Sequence, residues 1–134
     1  MITVQNTINA PVSKVWEFWT APEHITKWSF GSPDWSTPYV ENDLKVGGKF
    51  KYTMAAKDGT ATFDYEGVYT GVETFLVIAY QLSDNRIGSV HFEESAEKVI
   101  LTEKFQPETE NSESMQRQWC QAVIDCFKDY VENN

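Results

Sequence analysis

Residues 111–134 read NSESMQRQWCQAVIDCFKDYVENN, the one stretch of the chain with a long helical period. At about 100° per residue, Met115, Trp119, Val123, Cys126, Phe127 and Tyr130 gather on one side, continued by Cys120, Ile124 and Val131. Arg117, Gln121, Asp125, Lys128 and Glu132 fill the other half. An apolar half-circle of this width is broader than a bundle seam and calls for a sheet beneath it. Asn111 or Ser112 is placed to cap the helix, and Glu113 puts a negative charge in the first turn, where the helix dipole favours it.

The preceding residues supply that sheet. Ile2, Val4, Asn6 and Ile8 alternate with Thr3, Gln5 and Thr7, the period of a half-buried strand. Asn9-Ala10-Pro11 ends the strand and opens a short helix with Val12, Val15, Trp16 and Trp19 at helical spacing. Ala21-Pro22 opens a second, with Ile25 and Trp28 inward. Ser29 to Pro38 reads as a loop by composition, with Phe30 and Trp35 making it aromatic. After a short edge strand around Tyr39 to Glu41 the strands follow one another. Phe50, Tyr52 and Met54 alternate, Asp58-Gly59 turns, and Phe63, Tyr65 and Tyr69 alternate again. Phe75 to Leu82, Arg86 to Glu94 and Val99 to Phe105 complete a meander. This order predicts one α+β domain over residues 1–134: an antiparallel sheet, two short helices after strand 1, and the last helix on one face.

Bulk properties narrow the function. A net charge of −9, with 11 Lys and Arg scattered singly, repels phosphate backbones and anionic lipid, so neither nucleic acid nor membrane is an expected partner. MITVQNT has no apolar leader, and no run approaches the ~18 apolar residues of a membrane span; the expected location is the cytoplasm. Cys120 and Cys126 fall about 9 Å apart along one helix, beyond disulfide reach, and read as small buried hydrophobes. Gly47-Gly48 is followed by no phosphate-loop pattern, and neither a nucleophile elbow nor an H-E-x-x-H pair occurs. His24 and His91 have no ligand-spaced neighbours, so no metal site and no cofactor are expected.

Several motifs together resemble a known family. Ile8-Asn9-Ala10-Pro11 with Val15-Trp16, Thr20-Ala21-Pro22-Glu23 with Trp28, Asp43 through Phe50 (DLKVGGKF), Gly67-Val68-Tyr69, and the helical Trp119 look like the AHSA1-like branch of the START/Bet v 1 (SRPBCC) superfamily. The chain departs from that pattern at Thr74-Phe75, where a proline is common, and at Gln118, where a glycine is common. The resemblance implies a helix-grip fold: a curved seven-stranded antiparallel sheet around a long C-terminal helix, with an apolar tunnel between them. It also implies one of three activities: binding of a hydrophobic ligand, action as a cyclase or aromatase domain, or stimulation of the Hsp90 ATPase. The last belongs to the branch's eukaryotic namesake, which binds the chaperone through a separate N-terminal domain that has no counterpart in these 134 residues.

The preferred reading is non-catalytic binding of a small hydrophobic or aromatic ligand between sheet and helix. Trp16, Phe50, Tyr52, Met54, Phe63, Tyr65, Met115, Trp119, Val123 and Cys126 are the candidate lining, with Glu103 or a tyrosine hydroxyl as polar anchor. Glu103 shares strand parity with Val99, Leu101 and Phe105, hence the helix-facing side; a buried carboxyl there has a raised pKa and can serve as acid or base, whereas a register change exposes it. His91 shares parity with Ile87 and Ser89 and points outward unless a bulge turns it. Rigid rings around a helix leave either a tunnel or a dry, filled core. Phe30 and Trp35 are candidates for a lid, a partner-binding loop or simple rim packing. A co-chaperone-type protein partner is the alternative, and a cyclase- or hydrolase-like enzyme using Glu103 the weaker one.

Overall fold

In β1 (Ile2–Ile8), Ile2, Val4 and Ile8 are buried while Thr3, Gln5 and Thr7 are exposed, so the period-two alternation has become an inside and an outside. The computed structural model describes all of residues 1–134. Pro11 caps α1 (Val12–Thr20) and Pro22 sits in the first turn of α2 (Pro22–Trp28). Then come β2 (Trp35–Asn42), β3 (Lys49–Ala56), β4 (Thr62–Glu73), β5 (Val77–Leu82), β6 (Ile87–Ser95) and β7 (Lys98–Phe105), followed by α3 (Glu113–Glu132). Ser112 caps α3, its hydroxyl accepting from the Met115 N–H. All pairings are antiparallel in the order β1-β7-β6-β5-β4-β3-β2, and the sheet curls into a half-barrel around α3.

Two expectations need correction. The edge strand β2 starts at Trp35, so the aromatic loop is shorter than its composition predicts; pairing of Trp35 and Ser36 with Ala56 and Ala55 draws its last residues into the sheet. Phe75 and Leu76 form a turn instead of starting a strand: Phe75 has φ 68°, a left-handed conformation that no β ladder accommodates. The polar half of α3 also has partners in the fold. Gln121 Nε2 donates to the Gln5 carbonyl (3.0 Å), Lys128 Nζ to the Thr7 carbonyl (2.6 Å), and Glu132 Oε2 accepts from the Asn9 N–H (2.8 Å). Asn6 Nδ2 donates to Asp125 Oδ1 at 2.9 Å. Gln121, Asp125, Lys128 and Glu132 thus run along the free edge of β1, and Gln121, Lys128 and Glu132 satisfy backbone groups that no strand pairs.

The two ends of α3 differ. In its second half Ile124, Phe127 and Val131 are fully buried. Phe127 packs edge-on against Trp19 and Trp28 (centroids 4.9 and 4.8 Å), which stack on each other at 4.5 Å. Trp28 Nε1 donates to the Phe18 carbonyl at 2.9 Å, giving its buried N–H a partner. In the first half Trp119, Cys120 and Val123 remain half-buried and Met115 is 59% exposed. Replacing Phe127 by alanine should therefore lower the unfolding free energy by about 3–5 kcal/mol. Met115→Ala should stay within about 0.5 kcal/mol in the same urea titration.

Candidate functional site

Beneath the first half of α3, strand register gathers one polar cluster among rings. Tyr52 of β3 stands opposite Tyr65 of β4, Tyr69 of β4 opposite Tyr80 of β5, and Val90 of β6 opposite Glu103 of β7. Phe50 touches four of these tyrosine rings, those of Tyr52, Tyr65, Tyr69 and Tyr80, at centroid distances of 5.0 to 5.9 Å. The partner of Tyr80 on β6 is Gly88, which has no side chain, so the phenol crosses over that strand and its Oη donates to Glu103 Oε2 at 2.9 Å. A Cβ on Gly88 would lie 2.4 Å from that Oη, so the glycine is what lets the tyrosine reach the carboxylate.

Glu103 faces inward, as parity predicts, and no bulge intervenes in β7. Its Oε1 accepts from no protein group, yet no buried side-chain polar atom lacks a partner, so this oxygen touches solvent. No Lys, Arg or His nitrogen comes within 4 Å of it. Desolvation by the surrounding rings pushes its pKa up to about 7, and the Tyr80 hydrogen bond partly offsets that rise. The phenols of Tyr52, Tyr65 and Tyr80 are raised, first by burial and then by neighbouring charge including that of Glu103. Burial likewise raises the Cys120 thiol, with Glu103 adding to the effect, so it is no reactive thiolate.

Trp119 closes this region from the helix side. Its indole lies on Gly31, where a Cβ would come within 2.4 Å of the ring, and meets Trp35 edge-on at 6.0 Å. Trp35 in turn meets Phe63, 45% exposed at the rim, at 5.6 Å. A shallow hollow of about 240 Å³ opens between Gly31, Met115, Gln118 and Trp119. Of the candidate lining, Phe50, Tyr52, Tyr65, Glu103 and Trp119 lie at this end, with Met115 and Phe63 exposed at its rim, while Met54 is buried and Val123 half-buried against the core. Trp16 does not: it packs at the filled end against Phe92 and Phe75 (5.0 and 6.0 Å). Cys126 is half-buried outside the core cluster, its thiol raised by burial and by Asp129 and Asp125, while Cys120 takes the place beside Glu103. Phe30 is half-buried behind the loop, and His91 points outward, its Nε2 2.9 Å from Ser89 Oγ. A second hollow, about 420 Å³, opens elsewhere, among Lys49, Lys51, Glu66 and Gln81, and contains none of the polar cluster.

Sequence reasoning missed Tyr80, Gly88, Gly31 and Cys120. Signals existed for two of them: Tyr80 shares parity with Ile78 and Leu82, and an isolated glycine inside a strand marks a close approach. Nothing local in the sequence pairs Gly31 with Trp119.

The family model described as activator of Hsp90 ATPase homolog 1-like protein matches residues 9–132. The solution structure of an AHSA1-like protein from Aeromonas hydrophila superposes with a TM-score of 0.89 at 34% identity, over 98% of this chain and 93% of that one. A protein from Cytophaga hutchinsonii gives 0.85 at 44% identity, over 99% and 92%. One from Nitrosomonas europaea, at 17% identity over 98% and 95%, shares the fold with a TM-score of 0.79. No curated protein matches the sequence.

Because the folded chain resists ionising Glu103, its protonation favours folding: that contribution is full below the ordinary value of 4.5, falls as pH rises, and is gone above about 7. Relative to Glu103→Gln, the wild-type chain should lose up to about 3 kcal/mol of stability between pH 4 and pH 8, partial solvent access reducing the amount. A carboxyl ¹³C titration should place the Glu103 midpoint near 7.

Proposed function

The chain belongs to the AHSA1-like family of helix-grip proteins, and from that premise we propose that it holds a small hydrophobic or aromatic molecule between its sheet and the first half of α3, without transforming it. One observation carries this reading. Opposite surfaces that a filled core would seal, Tyr65 and Glu103 on the sheet and Trp119, Cys120 and Val123 on the helix, all stop short of full burial, and no residue of α3 before Ile124 is fully buried, whereas Ile124, Phe127 and Val131 further along the same helix are sealed. Binding sites for small molecules combine mostly apolar walls with a few fixed polar groups. Phe50, Tyr52, Met54 and Trp119 supply walls of that kind, and Glu103 with Tyr80 supplies the polar point.

A shallow resting hollow is compatible with a guest that enters by displacing the Trp119 indole from Gly31 and Trp35. That movement takes place at the less buried end of α3, where local opening is cheapest. The reading as a protein-interaction module has its own support in Tyr39, Phe63 and Met115, which are 47%, 45% and 59% exposed. Trp119 separates the two. Trp119→Ala should weaken binding of the uncharged dye N-phenyl-1-naphthylamine about tenfold, read by fluorescence, while the urea midpoint moves little. A variant that binds the dye as the parent does, or a wild-type chain that neither binds it nor carries a small molecule in native mass spectrometry, sinks the ligand-binding reading.

A further inference from the structure

We propose that the molecule held beneath α3 is an aromatic amine, its cationic nitrogen on the free Oε1 of Glu103 and its ring among the aromatic walls, an inference that rests on the binding function proposed above. The geometry asks for such a group. Glu103 projects from the middle of β7 into the sheet–helix space, one oxygen is held by Tyr80, and the other has no donor from the protein. Hydrogen-bonded carboxylates inside proteins are normally matched by a cation, and here none is in contact.

The local field points the same way. The groups facing Glu103 are Tyr52 of β3, Tyr65 of β4, Tyr80 of β5 and Cys120 of α3, all neutral near pH 7 because burial raises each of them. Arg86, before β6, is the one positive side chain whose charge is felt in the cluster, and Asp84 already holds its Nε at 2.7 Å. An arriving cation therefore meets one unneutralised carboxylate and the faces of electron-rich rings, which add cation–π attraction. The net charge of −9 favours its approach from solution. A neutral phenol or alcohol would meet the same acceptor without the charge, and an acid would be repelled.

Two isosteric probes test this: 2-phenylethylamine and 2-phenylethanol, titrated by calorimetry into the wild-type chain and into Glu103→Gln at pH 6 and pH 8. An alkyl amine stays protonated across that range, whereas Glu103, with its midpoint at about 7, goes from roughly one-tenth to roughly nine-tenths ionised. Amine affinity for the wild-type chain should rise about tenfold from pH 6 to pH 8, and alcohol affinity should not rise. Glu103→Gln should abolish the amine's pH dependence and lower its affinity about tenfold at pH 8 while still binding the alcohol, which also certifies that the variant is folded. If the alcohol and the naphthylamine dye bind the wild-type chain but the amine shows no preference at pH 8, or keeps it in Glu103→Gln, the amine assignment is overturned and the binding function stands. If none of the three binds, both fall.

Discussion

The rest of the structure depends on how the last helix is fastened to the first strand. β1 is an edge of the sheet, with a row of backbone groups facing no other strand. Gln121, Asp125, Lys128 and Glu132, spaced at four, three and four residues, follow one side of α3 and hold that edge through Gln5, Asn6, Thr7 and Asn9. An unpaired edge would otherwise invite pairing with another chain. Close backbone approach of α3 is concentrated on β1, so the sheet must curl for its remaining strands to come beneath the helix, and side chains must fill the distance.

That distance is filled in two different ways. At the end covered by α1 and α2, Trp19, Trp28 and Phe127 interlock, and Ile124, Phe127 and Val131 of α3 are sealed from water. At the other end the bridge is made of tyrosines, a cysteine and a carboxyl group. A carboxyl in that position is not a device for stability: its desolvation disfavours the charged form, and one phenol hydrogen bond recovers only part of the loss. A leucine at 103 would pack against Val4 and Val90, its neighbours across the ladders, without that penalty. The polar group makes physical sense where it has something to hold.

How much of this is legible in the sequence depends on the range of the interaction. Periodicity located β1 and α3, and alternation placed Glu103 on the inward face, because both follow from the local geometry of helix and strand. It could not separate the two ends of the interior: Trp16 and Trp119 are both inward-facing tryptophans, and only the docking of α1 and α2 puts the first in a sealed core. The partner of the polar stripe of α3 was invisible, because it is the backbone of β1, more than 110 residues away and without any side-chain pattern to betray it. The β4–β5 turn was misread for the opposite reason, since Phe75 is a residue that propensity assigns to strands and here takes a positive φ at a tip.

The asymmetry of the two ends follows from where the chain spends its rings. α1 and α2 follow directly on Ile8, where β1 ends, and close that end, against the second half of α3. The opposite end receives only the loop before β2, whose Gly31 offers backbone, not a side chain, to the Trp119 indole. A ring resting on backbone and on one edge-on neighbour loses few contacts when it swings away, whereas Phe127, fully buried and edge-on against both stacked indoles, loses many. Global stability can thus reside at the sealed end while the Trp119 end opens, which is the division a protein needs if it is to admit a guest without unfolding.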